Sequence, residues 1–173
     1  MKATARFIVW LIMIPLAGAL AIFLDIKHHS YLFFSPTFHI ITFIIGALIM
    51  WAVIVISRNT GRTLAKYGRQ GDIPRMETNV LVDKGPYAYM RHPMHFGLLF
   101  FPLAWGLILG SPTFIFIFAP IEMLFILLMI KLVEEPEAIR KFGQQYIDYA
   151  KDKPWFCIKK HCIKELFKKV EKD

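Results

Sequence analysis

Four apolar runs separated by polar segments set the pattern of this chain. The runs cover residues 7–24, 38–57, 96–109 and 111–130, and a Gly-Ser-Pro break at 110–112 separates the last two. A helical residue rises ~1.5 Å, so the longer runs can cross a hydrocarbon layer of about 30 Å. No small-residue cleavage pattern follows the first run cleanly, so we expect a retained span rather than a signal peptide. The pattern predicts an all-α, polytopic membrane protein with about four transmembrane helices: two long spans, then a helical hairpin.

The composition agrees with this prediction. Of the 173 residues 56% are hydrophobic, whereas soluble domains average roughly 45–50% apolar residues. We expect a single integral-membrane domain over residues 1–173. Its parts are two spans in 1–57, a motif-bearing core in 58–154 and a basic amphipathic tail in 155–173.

The formal net charge of +8 is distributed unevenly. In a four-span arrangement 20 of the 21 basic residues lie on one side, and Lys27 lies on the other. Basic residues concentrate in cytoplasmic loops, so both termini and the segment 58–93 are expected to be cytoplasmic. We attribute the charge to this orientation and to contact with anionic lipid headgroups of the bilayer. Nucleic acid is not an expected partner, and the sequence predicts no oligomeric state.

The C-terminal tail has apolar residues at three- and four-residue spacing from Trp155 to Val170, with lysines on the opposite face. Such a helix either lies in the membrane interface or packs on the body of the protein. Cys157, His161 and Cys162 are three soft ligands without a second cluster, so we expect no metal site. In a reducing compartment both cysteines are interpreted as ordinary thiols.

Ionisable groups gather where the third run begins. The segment 79–97 reads NVLVDKGPYAYMRHPMHFG, in which two tyrosines precede Arg91 and His92, and His95 follows. Polar groups at a membrane boundary need partners. A structural interpretation is also open for each: Arg91 as a snorkelling anchor, the tyrosines as an aromatic belt and Pro93 as a helix start.

A second, acidic cluster follows the fourth run. Glu134, Glu135 and Glu137 surround Pro136, a pattern that is also typical of the first turn of a separate, solvated helix. If the third and fourth runs form a hairpin, its cytoplasmic ends bring His92 next to Glu134. An arginine, an imidazole, two tyrosines and carboxylates would then share one cytoplasmic pocket.

These two clusters carry a family resemblance. GPYAYMRHPMHFG followed by LVEEPEAIRKFGQQYIDY resembles the integral-membrane methyltransferases typified by isoprenylcysteine carboxyl methyltransferase and the phospholipid N-methyltransferases. The resemblance covers about residues 76–154. It implies S-adenosylmethionine as cofactor in a cytoplasmic pocket and a lipophilic acceptor that enters from the bilayer. That acceptor would be a phospholipid amine or an isoprenylcysteine-like carboxylate.

The resemblance also implies roles for individual residues. The segment 79–82 would contact the nucleoside through its backbone, Glu134 would face the cofactor, and Arg91 or His92 would hold the methionine carboxylate. The residues expected to contact the cofactor are Asn79, Val80, Leu81, Val82, Tyr87, Arg91, His92, Pro93, Met94, His95 and Glu134.

Two positions depart from the family pattern. His95 stands where a tyrosine is usual, and Ile130 stands where the prenylcysteine enzymes have an arginine thought to meet the substrate carboxylate. Lys131, next to Ile130, is the cation nearest in sequence to that position. The departures disfavour a prenylcysteine carboxylate as the acceptor.

Catalysis of methyl transfer needs positioning, exclusion of water and, for some acceptors, a base. Glu135 and His95 are the candidate catalytic residues. Glu122, within the fourth run, either lines the path of the acceptor or makes an interhelical hydrogen bond. Lys131 and Glu122 are the candidate substrate contacts. No Gly-x-Gly-x-x-Gly pattern occurs, which disfavours a Rossmann-type methyltransferase.

Two other functions remain open. In a membrane metalloenzyme, His92 and His95 with Glu134 and Glu135 would form a His/carboxylate metal site. In a non-catalytic scaffold, the same motif would bind lipid headgroups only.

Overall fold

The computed structural model describes residues 3–74 and 77–169, and it describes side chains from Trp10 onward except that of Leu11. Within these residues the chain is helical and contains no β-strand, which confirms the predicted all-α class. The α-helices are α1 (Ala3–His28), α2 (Ser30–Phe33), α3 (Pro36–Tyr67), α4 (Pro93–Leu99), α5 (Phe101–Leu109), α6 (Ala119–Met129), α7 (Glu135–Phe142), α8 (Gln144–Asp152) and α9 (Lys160–Phe167). A 3₁₀ turn occupies Gly85–Ala88, and π turns occupy Phe114–Phe118 and Ile130–Glu134.

Two helices within the described residues are long and apolar enough to cross a membrane: Pro36–Tyr67, with 32 residues, and Phe114–Phe142, with 29. The apolar stretch Pro93–Leu109 is shorter. The first run forms α1, a helix of 26 residues. The number of crossings stays a prediction.

The long helix Phe114–Phe142 continues through two prolines. Each π turn ends two residues before a proline, Pro120 in one case and Pro136 in the other. A proline lacks an N–H and crowds the carbonyl four residues earlier, and a π turn widens the helix there. The acidic cluster around Pro136 therefore lies within a continuous helix. The alternative interpretation, in which the cluster opens a separate helix, does not match this helix.

The chain divides into two compact units. Unit 1 comprises Met1–Trp51 and Leu99–Phe125, and unit 2 comprises Ala52–Leu98 and Ile126–Asp173. The core of unit 1 is built on small residues: Ala17, Ala21 and Ala119 surround Phe114, which is completely buried. Gly106 also leaves room for the Phe114 ring, because a Cβ there would lie 2.7 Å from Phe114 Cδ1.

Polar contacts close the turns of unit 1. Asp25, completely buried, accepts hydrogen bonds from the Ser111 hydroxyl and from the backbone N–H and hydroxyl of Thr113. The Asp25 carboxylate therefore provides an acceptor for the backbone N–H of Thr113, which lies in the first turn of a helix and has no partner within it. Gly110 has a φ of +62°, and a Cβ there would lie 2.1 Å from His39 Nδ1, so only glycine fits this turn.

The core of unit 2 joins the polar end of α3 to the tail. Ile56, Met90, Cys162 and Leu166 form one buried cluster. Asn59 Nδ2 donates to the Leu166 carbonyl at 3.1 Å and so satisfies an acceptor in the last turn of α9. These contacts favour the alternative in which the tail packs on the body of the protein.

The tail differs from the prediction in two ways. The helix covers Lys160–Phe167 rather than beginning near Trp155, and Val170 lies outside the described residues. Cys157 and Cys162 form a disulfide, with Cα atoms 5.9 Å apart. The interpretation of both as ordinary thiols is wrong, because the extended segment before α9 returns Cys157 to the side of the helix that carries Cys162.

Candidate functional site

One carboxylate in unit 2 joins side chains from three segments. Glu135 Oε2 accepts a hydrogen bond from Arg91 Nη1 at 2.6 Å, and Glu135 Oε1 lies 2.5 Å from His92 Nε2. The Tyr146 hydroxyl donates to Oε1 at 2.8 Å. The Arg91 and Glu135 side chains are only 16% and 15% exposed. The predicted meeting of the two clusters is therefore observed, with Glu135 rather than Glu134 as the partner of His92.

Local structure positions each member of this network. Arg91 and His92 directly precede α4, which begins at Pro93. Their backbone N–H groups donate to the carbonyls of Pro154 and Trp155, at 2.9 and 3.2 Å. Two consecutive backbone bonds thus fix the Arg91–His92 pair against the start of the tail. Sequence spacing gave no signal for this contact.

The surroundings set the protonation of the network. Burial lowers the pKa of His92 below its ordinary 6.5, although the hydrogen bond and charge of Glu135 act in the opposite direction. The imidazole is then neutral near pH 7, and Nε2 carries the proton that it donates to Glu135. Burial, followed by the hydrogen bond to Glu135, raises the pKa of Tyr146, so its hydroxyl stays protonated and donates.

Two tyrosines of α8, Tyr146 and Tyr149, belong to the site, although neither was among the predicted site residues. The Tyr149 hydroxyl donates to the Tyr87 carbonyl at 2.6 Å, and to the Met90 carbonyl at 3.2 Å. Tyr146 and Tyr149 are three residues apart and share one face of the helix. The F-G-x-x-Y-x-x-Y spacing was the available signal. Gly143, with a φ of +56°, turns the chain between α7 and α8 and allows this face to meet the site.

The segment expected to contact the nucleoside folds against the end of α3. The Asn79 side chain exchanges two hydrogen bonds with the Gln70 backbone, at 2.8 and 2.7 Å. The N–H groups of Asn79 and Val80 both donate to the Gly68 carbonyl. Among the described residues, the peptide groups of Leu81 and Val82 make no backbone hydrogen bond. The Asn79 side chain is therefore held by the loop through both of its polar atoms.

The remaining predicted contacts lie near the start of α4. Pro93 is buried, Met94 packs beside Gly61 of α3, and Tyr87 is buried in the 3₁₀ turn. His95 Nε2 lies 4.0 Å from Glu134 Oε1, and both side chains are about one quarter exposed, at 26% and 28%. His95 and Glu134 thus form a second, more accessible pair beside the Glu135 network.

The four residues of the proposed His/carboxylate metal site pair two by two, as His92 with Glu135 and His95 with Glu134. In the described part of the chain they do not gather into a group of three or more ligand atoms that could share an ion.

Neither candidate substrate contact takes part in the hydrogen bonds that Glu135 makes. Lys131 is exposed on the π turn Ile130–Glu134, where Ile130 is completely buried. Glu122 is 3% exposed, and neither of its carboxyl oxygens has a hydrogen-bond partner among the described residues.

A family model for the phospholipid methyltransferases matches residues 41–145. The match covers more than half of the chain and includes the first site motif and the second as far as residue 145. No curated protein matches the chain significantly. Membership of this family indicates methyltransferase activity on a substrate of the membrane-lipid type, and it confirms the resemblance noted in the sequence. The chain belongs to the phospholipid methyltransferase family.

Proposed function

We propose that the protein transfers a methyl group from S-adenosylmethionine to the amine of a phospholipid at the cytoplasmic side of a membrane. The observation that carries this proposal is the Arg91–Glu135–His92 network, whose three residues all lie within the family match. Polar networks of this kind orient the groups that contact a ligand.

The residues of this network fit a cofactor that carries a carboxylate. Arg91 uses Nη1 for Glu135, while its Nε is buried without a hydrogen-bond partner in the described part of the chain. A guanidinium with unused donors suits a carboxylate, here that of the methionine moiety. The backbone groups of Leu81 and Val82 would hold the adenine. When bound, S-adenosylmethionine supplies a methyl group already activated on a sulfonium.

An amine suits this chain better than a carboxylate as the acceptor. In the prenylcysteine enzymes an arginine thought to meet the substrate carboxylate stands at the position of Ile130, which here is an uncharged, completely buried side chain. An amine must instead be neutral to attack. The nitrogen lone pair forms the bond to the methyl carbon while the carbon–sulfur bond breaks toward sulfur, and the amine proton must be taken up.

We assign the base to His95, supported by Glu134, rather than to Glu135. Glu135 contacts Arg91, His92 and Tyr146 at once, so both of its oxygens are already engaged by other side chains. His95 is partly accessible, and imidazole is the side chain that most often serves as a general base. Glu135 is then a positioning residue.

The path of the acceptor is proposed to pass Glu122. A buried carboxyl without a partner within an apolar helix is costly, and a lipid amine or hydroxyl that passes it would supply the partner. Unchanged acceptor affinity and turnover in Glu122→Gln would disprove this role.

We propose that the chain crosses the bilayer four times, with both termini and the segment 58–93 in the cytoplasm. α1 has 26 residues and Phe114–Phe142 has 29, so each exceeds the roughly 20 residues needed for one crossing. Between Ile40 and Ile54 the exposed side chains of α3 are all apolar, as expected for contact with lipid. They include Ile40, Ile41, Phe43, Ile44, Ile45, Leu48, Trp51 and Ile54.

Binding of S-adenosylhomocysteine to the full chain in nanodiscs, measured by calorimetry, tests the proposal. We expect saturable binding, weakened about tenfold or more in Arg91→Gln. Transfer of a radiolabelled methyl group should then reach phosphatidylethanolamine and not a farnesylated cysteine analogue. Folded protein that binds headgroups but no S-adenosylhomocysteine would identify a scaffold and reject the proposal.

His95→Phe provides the test of the base. We expect S-adenosylhomocysteine binding to be retained and the rate of methyl transfer to fall. His29→Gln is the matched control, because His29 is an exposed histidine in unit 1. Equal turnover in His95→Phe and wild type would exclude His95 as the base.

A further inference from the structure

Three soft metal ligands of the tail converge at one point of unit 2. Cys157, His161 and Cys162 each offer one ligand atom, and these atoms lie within 4.8 Å of one another. Cys162 is 1% exposed and packs in the core with Met90. His161 is exposed, and its ring lies 5.3 Å from the Tyr89 ring between centroids. The cluster therefore joins a buried sulfur to an imidazole that solvent reaches.

The distances suit a thiophilic ion once the two sulfurs separate. Zinc sites have bonds of about 2.3 Å to sulfur and about 2.0 Å to nitrogen, which put neighbouring ligand atoms roughly 3.5–3.8 Å apart. His161 and Cys162 are fixed on α9, whereas Cys157 lies in the extended segment before it. Opening the disulfide leaves Cys157 free to move over the small distance that coordination needs.

The charge of the tail favours thiolate ligands. Two thiolates neutralise a divalent ion, so the complex adds no net charge to a strongly basic segment. Sulfur and imidazole ligands also select Zn²⁺-like ions over Mg²⁺ and Ca²⁺, which prefer oxygen. The lysines of this segment are Lys159, Lys160, Lys164, Lys168 and Lys169.

We propose that reduction of the Cys157–Cys162 disulfide converts the tail into a Cys₂His site for one thiophilic divalent ion such as Zn²⁺. A dithiol reductant gives two electrons and two protons to the disulfide, so that two thiols form and the reductant becomes a disulfide. The ion then displaces both thiol protons and binds two sulfurs and one His161 nitrogen. Water occupies the fourth position.

The ion replaces the disulfide as a cross-link beside the candidate active site. Cys157 follows Trp155 by two residues, and the carbonyls of Pro154 and Trp155 hold the N–H groups of Arg91 and His92. The Trp155 ring also lies 6.2 Å from the His92 ring between centroids. Trp155 fluorescence is therefore expected to respond when the reduced tail takes up the ion.

Co²⁺ titration of the reduced full chain in detergent tests the site. The disulfide is first reduced with a phosphine, which is then removed without oxygen, and alkylation confirms two free thiols. We expect one Co²⁺ per chain, with thiolate-to-cobalt charge-transfer absorption and the intense visible bands of a tetrahedral ion. Zn²⁺ should displace Co²⁺ and protect both thiols from alkylation, and the oxidised chain should show no such bands.

Cys157→Ser and Cys162→Ser should each abolish the charge-transfer band. His161→Gln should weaken Co²⁺ binding at least tenfold, whereas His29→Gln, an exposed histidine in the other unit, should leave it unchanged. Because Cys162→Ser alters a core residue, thiol protection in the wild-type chain serves as the independent measurement. A reduced, folded chain that gives no band and no protection, or a band that persists in Cys157→Ser, would overturn the proposal.

Discussion

At the scale of residues, the site depends on the placement of a single carboxylate. Glu135 contacts the guanidinium of Arg91, the imidazole of His92 and the phenol of Tyr146. All three residues belong to polar motifs, whereas most of the chain is apolar. Removing one partner of a buried charged network lowers the free energy of unfolding by more than the net contribution of the lost bond. The reason is that the remaining partners stay buried without a hydrogen bond.

Glu135→Gln is expected to lower the free energy of unfolding by about 1–3 kcal/mol, since Arg91 loses its ionic partner in a site where both side chains are largely buried. S-adenosylhomocysteine affinity should fall about tenfold or more, because the Arg91–His92 pair is no longer fixed. Denaturant unfolding and calorimetry measure the two effects.

Glu137→Gln is the matched control for Glu135→Gln, because Glu137 is exposed and lies on the same helix. Its effect should stay within about 0.5 kcal/mol. Equal effects of the two substitutions would show that the Glu135 contacts contribute nothing specific.

The lowered pKa of His92 predicts a loss of stability in acid. Because burial holds the folded-state pKa below 6.5, the unfolded chain binds a proton at a higher pH than the folded chain. The contribution of His92 to the free energy of unfolding is complete above pH 6.5 and is lost as the pH falls through the folded-state value. Unfolding midpoints measured across this range should fall less steeply with acid in His92→Gln than in wild type. Parallel curves for the two proteins would contradict the assignment.

At the scale of elements, close helix contacts and π turns determine which side chains face each other. The π turn Ile130–Glu134 ends directly before Glu135 and precedes Pro136 by two residues. One extra residue in a turn rotates the following helix by about 100° relative to a regular helix. This rotation determines which of the two adjacent acids, Glu134 or Glu135, meets His92.

Within unit 1, α3 and α5 approach closely at Gly46. A Cβ there would lie 2.8 Å from Ile108 N and 3.0 Å from the Ala104 carbonyl oxygen, and backbone atoms cannot yield easily. Gly46→Ala is therefore expected to lower the free energy of unfolding by about 1–3 kcal/mol, as overpacking typically does. Denaturant titration in detergent, followed by circular dichroism, measures the change.

Gly61→Ala in the same helix is the control for Gly46→Ala. A Cβ at Gly61 meets only Met94 Cε at an ordinary 3.5 Å, so the change should be neutral or stabilise by up to about 1 kcal/mol through helix propensity. Equal free energies of unfolding for Gly46→Ala and Gly61→Ala would contradict the prediction, because α3 and α5 would then move apart without a loss of stability.

At the scale of the whole molecule, charge separates the chain into two kinds of segment. Unit 1 contains five charged residues, and all the others belong to unit 2. This asymmetry supports the proposed orientation, in which the site-bearing segments contact the cytoplasm and its anionic lipid surface. The charged residues of unit 1 are Lys2, Arg6, Asp25, Lys27 and Glu122.

Single cysteines provide a test of this orientation. In a chain with both native cysteines changed to serine, Tyr31→Cys should react with an impermeant maleimide in intact cells, because Tyr31 is 89% exposed between α1 and α3. Asp72→Cys, in the segment 58–93, should react only after the membrane is permeabilised. The opposite labelling pattern would invert the proposed topology.

The sequence by itself determined the helical class, the apolar segments and the two motifs whose meeting forms the site. Hydropathy and spacing along a chain are local quantities, so a linear pattern is enough to reveal them. The family match rests on the same local patterns, at residues 41–145.

Only the tertiary structure decided the partners within those patterns. The pairing of His92 with Glu135, the two backbone bonds from the tail to the Arg91–His92 pair and the Cys157–Cys162 disulfide all join residues whose contacts no linear spacing specifies. Such partners depend on how far each helix is rotated and where each turn redirects the chain. A single π turn, or one glycine with positive φ such as Gly143, changes that rotation while leaving the hydropathy pattern the same.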